Sequence, residues 1–171
     1  MIRHALAGDT AALVAIGEAT GIFRPHEAEG LLGATLDAIH AGQLGEGHQA
    51  HVWVEGPEVP PAGWVYFAPT PNANGVWDLW WIGTDPARQG RGIGSQLLGF
   101  VEDRARAAGG RLLLVETSSQ PALDPTRRFY ANRGYVECGR VPDFYGEGDA
   151  KVIFAKRLRP VARPGADDDP T

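Results

Sequence analysis

Two periodicities alternate along this chain. Strand-length runs rich in apolar, β-branched and aromatic side chains occur at residues 2–5, 50–55, 62–67 and 76–82, and turn-rich stretches at 56–61 and 72–75 separate the last three. Between the first two runs, apolar residues return at helical spacing. Leu13 and Ile16 follow Asp9, a helix-capping residue type, and Leu31, Leu32, Leu36 and Ile39 follow Pro25, which suits a first helical position. Gly42 and Gly45 end that second segment. The clearest helix covers 93–108, where Ile93, Leu97, Leu98, Val101, Ala105 and Ala108 make one apolar stripe. Glu102, Asp103, Arg104 and Arg106 lie largely outside that stripe, and Gly109-Gly110 stops the helix. Residues 112–115 are apolar on both faces, as a buried central strand requires. A short helix from Asp124-Pro125 to Gly134 and two strands at 135–141 and 151–156 complete the pattern.

The resulting order, βααβββαβαββ, interleaves helices with strands. It predicts an α/β fold, a mixed sheet covered by helices, with a right-handed parallel crossover through 76–117. At 171 residues the chain suits a single domain, placed at 1–159, and a hydrophobic content of 43% supplies a sizeable core. Residues 160–171, with Pro160, Pro164, Pro170 and the run Asp167-Asp168-Asp169, read as a disordered acidic tail. Lys+Arg 16 against Asp+Glu 21 gives a formal net charge of −5, which argues against a general nucleic-acid binder. No apolar run is long enough to suggest a membrane span, and residues 1–10 lack a secretory hydrophobic segment. Cys138 is the sole cysteine, which excludes an intrachain disulfide, a cysteine-based zinc site and a CxxC redox centre; a cytoplasmic setting is expected.

The candidate chemistry concentrates in one turn, Gln89-Gly90-Arg91-Gly92-Ile93-Gly94-Ser95, which follows a strong strand and opens the strongest helix. A helix start carries unpaired N–H groups and the positive end of the helix dipole, and glycines let a ligand approach that backbone closely. The combination favours a phosphate or pyrophosphate, and Arg88 and Arg91 add positive charge. The P-loop pattern GxxxxGK[ST] is absent. The dinucleotide pattern GxGxxG fails at Ser95, and residues 83–88 separate the strand from its first glycine, whereas a dinucleotide turn follows its strand directly. A nicotinamide-dependent oxidoreductase, with Glu116 as a ribose-binding acid, is therefore the weaker competitor.

The turn resembles the acetyl-CoA signature Q/R-x-x-G-x-G/A of the GNAT superfamily of acyl-CoA-dependent N-acetyltransferases, read here as Gln89 to Gly94. The approach Ile82-Gly83-Thr84-Asp85-Pro86 is similar to that family's strand and turn. A second segment, Phe129-Tyr130-Ala131-Asn132-Arg133-Gly134-Tyr135, resembles its F/L-Y-x-x-x-G-F/Y motif. The resemblance covers residues 76–157; the first 75 match only in element order. It implies the GNAT fold, with a central sheet splayed between strands 76–82 and 111–117. It implies acetyl-CoA as donor, no metal, and direct transfer to a small amine, an amino acid or a protein N-terminus. Members are often dimers. Backbone amides of Gly90, Arg91, Gly92, Ile93, Gly94 and Ser95 would hold the pyrophosphate, with Gln89 opening this cofactor-binding signature, and Ile82, Gly83 and Thr84 would pair with the pantetheine arm. The resemblance also gives Tyr130 the role of acid toward the leaving thiolate; packing alone is the plain alternative for this aromatic.

Amide formation needs a neutral amine, so a base or a water chain must take a proton from an ammonium. Glu116, at the end of the buried strand, is the candidate base, and Val115-Glu116-Thr117-Ser118 resembles the strand end of ribosomal-protein N-terminal acetyltransferases, where a glutamate is the base. Glu116 could instead order substrate or pair with an arginine. Asp78 is held in reserve, on strand 76–82 with the side-chain parity of Trp80 and Ile82. The family's asparagine in the loop before the second motif is absent from residues 118–125, leaving Ser119 or Gln120 to substitute. Alternation puts Trp77 and Trp81 on one face and Trp80 on the other. His48 and His51 would face opposite sides of a strand and form no metal pair, Cys138 reads as a small core residue, and 143–149 reads as an acidic loop. A non-catalytic acyl-CoA-binding module is the rival of another class; it would tolerate Phe at Tyr130 and Gln at Glu116.

Overall fold

The computed structural model describes residues 1–23 and 26–158; the acidic tail at 160–171 and Pro25 lie outside the described residues. The strands are β1 (Ile2–His4), β2 (Gln49–Trp53), β3 (Gly63–Pro69), β4 (Val76–Thr84), β5 (Leu112–Ser118), β6 (Val136–Gly146) and β7 (Asp149–Arg157). The helices are α1 (Thr10–Ala19), α2 (Ala34–His40), α3 (Ile93–Ala107) and α4 (Asp124–Ala131), in the expected βααβββαβαββ order. All seven strands form one sheet in the order β1-β2-β3-β4-β5-β7-β6. Among the described residues only β4 and β5 run parallel, joined by α3; the other pairings are antiparallel. No helix among the described residues is long and apolar enough to cross a membrane.

Two cores lie on the two faces of this sheet. One packs α3 and α4 against β3, β4, β5 and β7 through Ile93, Leu97, Leu98, Val101, Ala105, Leu113, Val115, Tyr130 and Phe154. The other packs α1 and α2 against β2 and β3 through Leu13, Ile16, Leu32, Leu36, Val52 and Trp64. Leu13 and Ile16 face inward as their spacing predicts. Leu31 does not, being 54% exposed. Leu32, Leu36 and Ile39 recur at four and three residues, and Leu31 stands one residue off that stripe, in a π-helical turn over Glu29–Gly33.

Several expectations fail for local physical reasons. Asp9 gives α1 no side-chain cap; it accepts the Leu6 N–H at 2.8 Å and pairs with Arg3 at 2.7 Å, and these bonds hold its carboxyl below the usual range. Glu102 is buried inside the α3 face. It takes the Tyr135 hydroxyl at 3.0 Å, Lys156 Nζ at 2.8 Å and Arg106 at 3.0 Å, so the buried charge is paired on all sides. Cys138 is exposed, because β6 is an edge strand with almost no cover. Residues 143–146 belong to β6, and the turn is confined to Glu147-Gly148.

The tryptophan parity also fails, and the reason shapes the site. The β3–β4 register jumps from Tyr66↔Trp81 to Phe67↔Leu79, leaving Trp80 as an extra residue in β4. A bulge inverts the side-chain alternation beyond it and bends the strand. Trp77 therefore packs in the α3–α4 core, whereas Trp81 packs against the α1–α2 core with Phe23 and Trp64. Trp80, 57% exposed, stacks on Tyr66 on that same second face. Ile82 returns to the α3–α4 side, opposite Asp78.

Candidate active site

β4 and β5 pair only over Val76↔Leu112, Trp77↔Leu113, Asp78↔Leu114 and Leu79↔Val115. Beyond Leu79 the strands part. β4 continues along β3 to Gly63↔Thr84, and β5 continues along β7 to Ser118↔Lys151. The segment Trp80–Thr84 thus has a neighbour on one side and an open backbone edge on the other. An unpaired strand edge is a template for an extended ligand.

That edge leads into the glycine turn. Asp85 accepts the Ala87 N–H at 2.9 Å and starts a short helical turn over Pro86–Arg88. Gly90 and Gly92 then adopt φ of +78° and +77°, a left-handed geometry that favours glycine, before α3 begins at Ile93. Neither position has a neighbouring atom closer than 4.0 Å where a Cβ would stand, so the space before the helix is open. A cleft of about 670 Å³ occupies it, walled by Ile82, Gly83 and Thr84 of β4, the glycine turn, the end of α1 and the face of α4. This volume suits a cofactor-sized ligand.

Of the expected donor-binding residues, Ile82, Gly83, Thr84, Gln89, Gly90, Gly92, Ile93, Gly94 and Ser95 line this cleft, and Tyr130 lines it from α4. Arg91 does not. It is turned to Glu55 at 3.6 Å, and Arg88, which does reach the cleft, meets the same carboxylate at 2.6 Å. Tyr130 is buried among Phe129, Tyr135 and Phe154, and burial pushes its hydroxyl pKa well up. No hydrogen bond engages that hydroxyl among the described residues.

Glu116 stands across β5 from this cleft. Thr117 and Val115 turn into the α3–α4 core, so Glu116 faces the other side of the sheet at the mouth of the splay. Its Oε2 pairs with Lys151 Nζ at 2.7 Å, and that ammonium also lies 3.9 Å over the Phe144 ring. Asp78 shares this face. It accepts the Thr70 hydroxyl at 2.7 Å, and burial, reinforced by the Glu116 charge, raises its pKa against that bond. Ser119 and Gln120 do not reach the cleft, because both are tied to Asp149. His48 bonds Tyr66 at 2.6 Å, whereas His51 lies against Phe67 and Phe100, so the two histidines do face opposite sides. Sequence reasoning gave no role to Phe129 on α4 or to Arg133 just past its end, which complete this wall; their spacing of four in the short helical segment expected there was the available signal.

A parallel pair thus opens beside a glycine-rich helix start, and a buried tyrosine faces the cleft between them. The family model of the GNAT acetyltransferases matches residues 21–135. The chain belongs to this family. A structure described as a GNAT-family acetyltransferase from Desulfovibrio desulfuricans is 33% identical, covers 93% of this chain and 99% of its own, and superposes with a TM-score of 0.83. The yncA protein of Salmonella typhimurium, solved with acetyl-CoA, shares the fold at 21% identity and a TM-score of 0.68, over 97% of this chain and 98% of its own. The uncharacterized N-acetyltransferase YsnE of Bacillus subtilis is 31% identical over 68 residues. That match covers 40% of this chain and spans less than half, 44%, of YsnE.

Proposed function

We propose that this acetyltransferase moves the acetyl group of acetyl-CoA directly to a primary amine, on a small molecule, an amino acid or a peptide N-terminus. The observation that carries the reading is the open β4 edge at Trp80–Thr84, running into the left-handed glycines before α3. The edge fits an extended pantetheine arm, and the N–H groups before α3 fit a pyrophosphate. The donor supplies an activated thioester. The amine nitrogen bonds to the acetyl carbonyl carbon, the carbon–sulfur bond breaks, and one amine proton leaves to a base. The departing thiolate takes the proton of Tyr130. Burial keeps that phenol protonated at neutral pH, and it has no internal bond to break before donating.

Glu116 is the first candidate for the base, at the mouth of the splay on the side away from the donor cleft. Asp78 is a second reading with a specific observation in its favour. Glu116 is engaged by Lys151, whereas Asp78 has a single hydroxyl donor and a raised pKa. The acceptor is a soluble amine in a cytoplasmic setting, and neither nucleic acid nor membrane takes part.

The test combines donor titration of the purified chain with amine-dependent release of free thiol. Saturating acetyl-CoA at about 100 times Kd should stabilise the protein by about 2.7 kcal/mol, and NAD should not. Absence of that shift, or thiol release indifferent to every amine offered, overturns the reading. The pH profile then separates the carboxylates. A base works deprotonated, so kcat/KM falls as pH drops through its pKa. If Asp78 is the base, the acidic limb lies above the usual carboxylate range and vanishes in Asp78→Asn but persists in Glu116→Gln. The reverse pattern assigns Glu116.

A further inference from the structure

On the face of the sheet away from the donor cleft, the mouth of the splay collects carboxylates from three strands. Asp78 stands on β4, Glu116 on β5 and Asp149 at the start of β7. Asp149 is buried, and neutral donors hold it: the Ser118 hydroxyl at 2.5 Å, the Ser119 N–H at 3.2 Å and the Gln120 amide at 2.9 Å. The charges reach their neighbours. Burial and, beyond it, Glu116 raise the pKa of Asp78; burial, then Glu116 and Asp149, raise that of the Tyr145 hydroxyl. Among the described residues Lys151, on Glu116, is the single cation paired with any of the three. The mouth is therefore anionic, and it attracts a cation and repels a carboxylate.

Two aromatic walls flank this charge. On the β6 side Phe144 and Tyr145 are exposed, and that wall already holds an ammonium: Lys151 Nζ pairs with Glu116 at 2.7 Å and lies 3.9 Å from the Phe144 ring centroid. On the β4 side the bulge turns Trp80 outward, two residues along from Asp78 on the same face. Its ring stacks on Tyr66 with 6.5 Å between centroids, and His48 bonds the Tyr66 hydroxyl at 2.6 Å, so the platform is fixed from behind. This wall repeats the combination of a carboxylate and an aromatic face, with the indole that binds cations best. No cation among the described residues bridges Asp78 and Trp80.

We propose that the acceptor is a small diamine or polyamine whose second ammonium is held on the Trp80 ring beside the carboxylates, an inference that rests on acetyl transfer to an amine at this splay. The reacting nitrogen, neutral, passes the mouth toward the thioester. Whichever of Asp78 and Glu116 takes its proton, the other stays an anion for the second charge. The nitrogen–carbon bond forms, the carbon–sulfur bond breaks, and the thiolate takes the Tyr130 proton. The second nitrogen keeps its protons, so the product is monoacetylated and carries one positive charge fewer. An acceptor bearing a carboxylate meets the same mouth as repulsion, which disfavours free amino acids.

Thiol release at saturating acetyl-CoA with butane-1,4-diamine, pentylamine and 4-aminobutanoate tests it. The wild-type chain should use the diamine with kcat/KM about tenfold above pentylamine, beyond the factor of about two that a pair of equivalent nitrogens gives, and the amino acid should fall below both. Salt at about 0.5 M should shrink the diamine-to-pentylamine ratio, because only the diamine carries a second charge to screen. Trp80→Leu should lower that ratio to about two, and Trp80→Phe, which keeps a ring, should hold an intermediate value. Should these variants fail to fold, the salt series on the wild-type chain decides, and a ratio indifferent to salt overturns the proposal. Pentylamine as good as the diamine, or a preferred amino acid, overturns it while leaving acetyl transfer in place. A ratio unchanged in Trp80→Leu also overturns it, because the second cation would then sit elsewhere. Thiol release indifferent to every amine overturns the acetyl-transfer reading itself, and this inference with it.

Discussion

The two halves of β4 are one strand in two environments. From Val76 to Leu79 it is clamped between β3 and β5, with Val76, Trp77 and Leu79 buried. From Trp80 to Thr84 it keeps β3 and loses β5; Trp80 is exposed, Trp81, Ile82 and Thr84 are half-buried, and Gly83 is buried. Local propensity does not make the difference, since both halves are rich in apolar and aromatic residues. The partners do. β5 stays with β7, β4 stays with β3, and the bulge at Trp80 bends β4 just where the two half-sheets separate. The clamped half is buried in the core, and the freed half leaves backbone without a β5 partner.

The hardest break of this contrast is Gly92→Asp. The new residue must hold φ near +77°, and its carboxylate stands where the cleft meets the start of α3. Acetyl-CoA affinity should fall by at least about 100-fold, given a lost close approach and direct charge repulsion. A folded variant with unchanged affinity removes the glycine turn from the donor site. Next in size is Tyr130→Phe. If the hydroxyl serves only the leaving thiolate, kcat should fall about 10²-fold or more, with the acetyl-CoA Kd within about twofold. Normal turnover on a true acceptor would leave Tyr130 as packing only.

A matched pair then sharpens the comparison along the strand. Leu79→Ala, in the clamped half, removes a side chain that is 5% exposed and should cost about 2–5 kcal/mol in urea unfolding, with donor affinity unchanged. Ile82→Ala, on the cleft wall, removes a half-buried side chain and should cost less stability but several-fold in donor affinity. If both variants shift both readouts alike, the two halves are one unit and the division fails.

These contrasts were legible in the sequence to different depths. The element order and most of the residues that wall the cleft could be read because the signals are local: a glycine turn after a strand, an apolar stripe, a motif on a short helix. The parity of Trp77 and Trp81 could not. A bulge is decided by the register between two strands, and nothing in residues 76–82 alone announces that Trp80 is the extra one. Glu102 misled for a related reason. A charge at the edge of a helical stripe reads as solvent-facing until Lys156 and Tyr135, remote in sequence, arrive to pair it. Glu116 lies at the mouth of the splay as expected, but its partner Lys151 comes from β7, whose register no local pattern gives.

The smallest effect expected is also the most diagnostic of how the cleft is charged. Glu55 takes Arg88 at 2.6 Å and Arg91 at 3.6 Å, so one carboxylate offsets a cation just before the glycine turn and one within it. Its side chain is 42% exposed, and exposed pairs contribute only about 0–1 kcal/mol. Glu55→Gln should therefore tighten acetyl-CoA by a factor of about two to five at low ionic strength, as released positive charge meets the phosphates. The gain should shrink by 0.5 M salt, where screening acts within roughly a contact distance. Tighter binding that persists in high salt would mean a steric rather than an electrostatic effect. Weaker binding would mean that Glu55 aims Arg88 into the cleft, and that the guanidinium's position there outweighs the charge it gives up.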